Sequence, residues 1–138
     1  MQPFRQQSIT VGSDCAVLQL TGEVDMYSAP QLREQVVELV DGGVRHIIAD
    51  LRGVDFLDST GLGALVGRLT RLRTHDGSFK VVASGGRILR LFQITGLTRA
   101  FALHPSVPDA MTTDEHWRAA VTGEGHDTEK WCRKHGLM

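Results

Sequence analysis

Between Ala16 and Leu103, short apolar runs rich in β-branched residues alternate with longer stretches whose apolar residues recur at helical spacing. This alternation limits the fold more than any other feature of the chain. A strand, a helix and a further strand close as a right-handed crossover, so an α/β domain is expected, with a small, mostly parallel sheet and crossover helices. The strands are read at Ala16–Leu20, at Val44–Leu51 with Phe56-Leu57 after a short loop, and at Phe79–Ala83, with a last edge strand at Arg99–Leu103. Ser8–Val11 is placed to pair with the first through the turn Gly12-Ser13-Asp14.

The intervening segments read as helices. Ser28, with Pro30 in the first turn and Gln31 three residues on, is a capping arrangement. It opens a helix with Ala29, Leu32, Val36, Leu39 and Val40 on one stripe, which stops at Asp41-Gly42-Gly43. A second helix is expected from Thr60 to Arg73, with Leu62, Leu65, Val66, Leu69 and Leu72 inward. A short helix covers Ile88–Ile94, and another follows Pro105 and Pro108, from Asp109 to Val121. Three parts are expected: an N-terminal extension (1–7), one domain (8–120), and a polar C-terminal tail (121–138) that buries little apolar area and is partly disordered.

Composition excludes several classes of function. The chain has 138 residues, 41% of them hydrophobic and 22% charged, with a formal net charge of -1. Such a balance gives no broad field for nucleic acid or a membrane surface. No apolar run approaches the roughly 18 residues of a transmembrane helix, and the N-terminus lacks a secretory pattern. A cytoplasmic protein is expected, with Cys15 and Cys132 as free thiols.

Chemistry concentrates at Asp55-Phe56-Leu57-Asp58-Ser59-Thr60-Gly61-Leu62-Gly63, where a strand end passes into a helix start. Ligands and partners of parallel α/β sheets meet the protein at that edge. A phosphate on Ser59 would face the helix dipole and its first backbone donors. Gly61 and Gly63 leave room for another molecule's backbone. The same residues also make a plain helix cap. The glycines from Gly61 to Gly67 miss the spacing of a dinucleotide loop, and no phosphate-binding loop with Lys occurs. A hydrolase elbow needs Gly where Leu57 stands, so no enzyme is expected. His46 lies within a strand, and the tail residues His116, His126, Cys132 and His135 match no tetrahedral spacing, so neither a metal nor a cofactor is expected.

Four stretches then stand in register: Leu20-Thr21-Gly22-Glu23-Val24-Asp25, Asp50-Leu51, Phe56-Leu57-Asp58-Ser59-Thr60-Gly61-Leu62-Gly63, and Leu91-Phe92-Gln93-Ile94-Thr95-Gly96-Leu97. Together they resemble the STAS domain of anti-sigma factor antagonists and of sulphate transporter tails, over about residues 8–118. The resemblance implies a partner switch. The unphosphorylated antagonist binds an anti-sigma factor that is often also a serine kinase; the kinase phosphorylates Ser59, with Thr60 the alternative acceptor, and a phosphatase reverses the modification. It implies partner contacts at Asp25, Met26, Tyr27, Ser28, Asp58, Thr60, Gly61 and Leu62, with Ser84 and Gly85 beside them. A non-switching scaffold, as in a stressosome or a lipid-transport complex, is the alternative. Partner identity and oligomeric state are left open.

Overall fold

The computed structural model describes residues 2–138; Met1 lies outside the described residues. Its strands are β1 (Arg5–Val11), β2 (Cys15–Val24), β3 (His46–Leu57), β4 (Ser78–Val82) and β5 (Ala102–His104). They lie side by side in chain order, β1 antiparallel to β2 and all later pairs parallel. The helices are α1 (Ala29–Asp41), α2 (Ser59–Arg73), α3 (Gly86–Ile94), α4 (Val107–Thr112), α5 (Glu115–Gly123) and α6 (Thr128–Lys134), with one 3-10 turn at Leu97–Arg99. The expected α/β class and mostly parallel sheet are therefore present. No described helix is long and apolar enough to cross a membrane.

Successive side chains on a strand point to opposite faces. Ala16, Leu18 and Leu20 on β2, Ile47, Ala49 and Leu51 on β3, and Phe79 and Val81 on β4 join the core that α1, α2 and α3 close. Cys15, Val17, Ile48 and Val82 face the other way, into a second core built by α4, α5 and α6. Burial on both faces explains why the first parts of β2 and β3 run buried without alternating.

Several expected boundaries move. β1 begins at Arg5 and pairs in register from Arg5 opposite Thr21, so residues 5–7 of the expected N-terminal extension are sheet. β3 is one strand of 12 residues. Its expected internal loop is instead taken up as irregularities in the pairing with β2, between Gln19 and Thr21 and between Gly22 and Glu23. The helix expected over Asp109–Val121 is two helices, because Asp114 caps a new start, accepting from the His116 and Trp117 backbone N–H groups.

The largest correction concerns the tail. Far from being disordered and unable to bury apolar area, it folds into α6, and Trp131, Cys132 and Leu137 are fully buried. The chain end is tied down as well. Buried Asp50 holds Arg52 through two bonds of 2.9 Å, and the Arg52 guanidinium donates to the Leu137 and Met138 carbonyls at 3.2 and 2.7 Å. Hydrogen bonding to Asp50 raises the Arg52 pKa above its ordinary value. The tail's apolar area is concentrated in Trp131, Cys132 and Leu137, which a polar average conceals.

Candidate functional site

Because β2, β3 and β4 run parallel, their C-terminal ends meet at one edge of the sheet. That edge carries the β2–α1 turn, the β3–α2 junction and the β4–α3 loop. The junction is the tightest of the three. The Asp58 N–H donates to the Val24 carbonyl at 3.2 Å, which ties the end of β3 to the end of β2. The Asp58 carboxylate then accepts from the Gly61 N–H at 2.8 Å, an N-cap for α2. Asp58 is thus partly turned to its own helix, while Ser59 and Thr60 are exposed on the first turn.

The neighbouring turn is held by a different device. Asp25 Oδ1 accepts from the Tyr27 and Ser28 backbone N–H groups at 2.9 and 3.0 Å. Ser28 Oγ accepts from the Asp25 N–H at 2.8 Å and donates to the Glu23 carbonyl at 3.0 Å. Ser28 therefore binds backwards into the turn and makes no side-chain cap bond to α1, contrary to the capping arrangement read from the sequence. A turn with this many internal bonds fixes what it displays: Met26 is 59% exposed and Tyr27 79%. In the third loop, Ser84 and Gly85 are exposed, and Gly85 sits at φ +105°, a backbone region that side chains disfavour.

Three of the residues expected to touch a partner lie inside. Ser28 is buried, doing the bonding just described. Leu62 is a core residue under α2. Gly61 is buried because α2 presses on β2: a Cβ there would stand 2.4 Å from the Val24 carbonyl oxygen. Its missing side chain serves the chain's own packing, not the approach of another backbone. Gly63, by contrast, faces open space. Asp25, Met26, Tyr27, Asp58, Ser59, Thr60, Ser84 and Gly85 all come to the one edge.

Phe56 joins that set; at 41% exposed, it ends β3 one residue before its final Leu57. Ile94, at 75% exposed, is the last residue of α3. Ile94 lies about 200° around the helix from buried Phe92, which turns it to solvent, and it closes the helix that begins at this edge. A groove of about 170 Å³ runs from Asp55, Phe56 and Leu57 to Arg87, Ile88 and Leu91.

The edge combines a hydroxyl on a helix start, two acidic side chains and exposed apolar groups. It can bind another protein's surface and change charge on modification of the hydroxyl. The chain is 45% identical over 78 residues to the anti-sigma-B factor antagonist of Bacillus subtilis, a match covering 56% of this chain and 71% of that one. A crystal structure of an anti-sigma factor antagonist from Mycobacterium paratuberculosis superposes with a TM-score of 0.73 at 31% identity, covering 80% of this chain and 93% of the other. The Bacillus cell fate determinant SpoIIAA in its phosphorylated form gives a TM-score of 0.60 at 26% identity, over 72% and 91%. The STAS domain family model matches residues 6–110. The chain belongs to the STAS domain family.

Proposed function

We propose that this protein is an anti-sigma factor antagonist that works by partner switching. Unphosphorylated, it binds an anti-sigma factor through the edge built by Asp25–Tyr27, Asp58–Thr60 and Ser84-Gly85. Phosphorylation of Ser59 by that factor, acting as a serine kinase, releases it; a phosphatase restores binding. The protein acts in the cytoplasm and catalyses nothing itself. The observation that carries the reading is the exposure of Ser59 on the first turn of α2, beside exposed Met26 and Tyr27. The names of the relatives support the partner class.

The switch is electrostatic. A phosphate adds roughly -1.5 to -2 charges at pH 7. Asp25 and Asp58 already stand at this edge, so the new charge adds to theirs. Against a closely packed partner, a penalty of about 3 kcal/mol corresponds to a loss of roughly a hundredfold in affinity. Titration of the anti-sigma factor with Ser59→Ala and Ser59→Asp tests it. The alanine variant binds regardless of kinase and ATP, and the aspartate variant binds weakly. Equal affinities would reject the switch and leave a scaffold in which Ser59 only begins a helix.

A further inference from the structure

At the opposite edge of the sheet, four potential metal ligands converge from three separate elements. Asp14 lies in the β1–β2 turn and Cys15 begins β2; His46 begins β3; His116 lies in the first turn of α5. His116 Nε2 is 2.9 and 3.2 Å from the two Asp14 carboxylate oxygens. His46 Nε2 is 3.9 Å from Asp14 Oδ2. The two imidazoles lie against one another, with centroids 4.2 Å apart. Cys15 Sγ is 3.5 Å from Asp14 Oδ1, and the donor atoms of Asp14, Cys15 and His116 all fall within 4.8 Å of one another.

We propose that Asp14, Cys15, His46 and His116 form a binding site for a divalent transition-metal cation of the zinc class. Zinc–ligand bonds of about 2.0–2.3 Å in a tetrahedron put neighbouring donors roughly 3.3–3.8 Å apart, so Asp14, Cys15 and His116 need only small side-chain rotations to close on a cation, and His46, 3.9 Å from Asp14, would have to swing in to complete the set. The donor set, two imidazoles with one carboxylate and one thiol, suits zinc, cobalt or nickel and not magnesium or calcium. Supporting contacts are also present. His46 Nδ1 bonds Ser78 Oγ at 2.8 Å, which orients the ring and leaves Nε2 toward Asp14. A cavity of about 390 Å³ lined by Gly12, Asp14, His116, Ala120 and Glu124 gives access from solvent. The sequence conceals the site, since Asp14 and His116 are separated by 102 positions.

The site stands at the far end of β3 from Ser59 and does not depend on the switch. A cation there would join α5 to the sheet in place of a simple His116–Asp14 ion pair.

The test uses the full-length protein, Zn2+ by calorimetry and Co2+ by absorption. A saturable site filled by one cation is expected, with the visible bands of tetrahedral Co2+ and a near-ultraviolet thiolate charge-transfer band reporting Cys15. Ser78→Ala is expected to weaken Zn2+ binding by about 10- to 100-fold, and His116→Ala or Asp14→Asn by more. His116 is half exposed, so its variant tolerates the change, and a thermal melt checks the fold. His75→Ala, at the exposed end of α2, is expected to bind as the wild type does. The melting temperature of the wild type rises with Zn2+ and falls back with chelator, while that of His116→Ala does not respond. No saturable binding, equal binding by His116→Ala, or a Co2+ spectrum without the thiolate band would overturn the assignment.

Discussion

Gly61 and Val24 touch where α2 crosses the end of β2, so closely that a Cβ on the glycine would lie 2.4 Å from the Val24 carbonyl oxygen. Backbone cannot yield as a flexible side chain can. Gly61→Ala is therefore expected to destabilise the fold by about 1–3 kcal/mol through overpacking. Gly63→Ala, two residues on, meets nothing within 4 Å. It is expected to be neutral or to stabilise by up to about 1 kcal/mol through helix propensity. Urea unfolding of both variants checks the contrast, and equal midpoints would contradict it.

Met26 and Tyr27 are exposed large apolar side chains on the β2–α1 turn of the candidate edge. Met26→Ala and Tyr27→Ala are each expected to weaken anti-sigma factor binding by about tenfold or more, as truncation of a central interface anchor does. Their folding stability is expected to stay within about 0.5 kcal/mol of the wild type. Binding titrations beside thermal melts separate the two effects. Unchanged affinity in both variants would move the interface away from this edge.

Trp131 is fully buried among Val17, Ile48 and Met111 in the second core. Trp131→Ala is expected to lose about 3–5 kcal/mol. Its indole N–H has no partner among the described residues, so Trp131→Phe keeps most of the packing and removes an unsatisfied donor. The phenylalanine variant is expected to be clearly the more stable of the two in denaturant melts. A tail that merely hung in solvent would make both changes silent.

Burial pushes the Cys132 thiol up to about 11 from its ordinary 9.0. A raised pKa in the folded state means stability is intact below pH 9.0 and is lost as pH rises through about 11. Unfolding free energies measured from about pH 8 to about pH 11 are expected to fall, and to fall less steeply in Cys132→Ala, the remaining loss coming from Cys15, which burial pushes up to about 12. Site-resolved alkylation is expected to leave Cys132 unlabelled in the folded protein at pH 8 and to label it in urea. Rapid labelling without denaturant would show the thiol to be accessible.

The parallel core and the helix stripes were legible because both sheet faces are buried, which makes β2, β3 and β4 unmistakable runs of apolar residues. The candidate edge was legible too, since strand ends and helix starts carry their own turn chemistry around Asp25 and Asp58. Inward or outward orientation was not. Gly61 and Gly63 look alike in sequence, yet one is pressed against Val24 and the other faces solvent. Ser28 departs from the capping arrangement for a similar reason: a serine before a helix bonds forward or backward according to what lies behind it, here Asp25 and Glu23. Pairings across long stretches of chain, such as Arg52 with Leu137, leave no local trace at all.

β3 spans His46 to Leu57, with the histidine pair at one tip and the Ser59 junction just past the other. At about 3.3 Å per residue those tips stand roughly 35 Å apart. Charges that far apart are hidden from each other by salt, whose screening length is about 8–10 Å in ordinary buffers. An ion arriving at one end and a phosphoryl group at the other therefore cannot sense each other through space. Any message between them has to travel as a displacement of the strand itself, whose first part, His46–Asp50, is held between β2 and β4 and gives little.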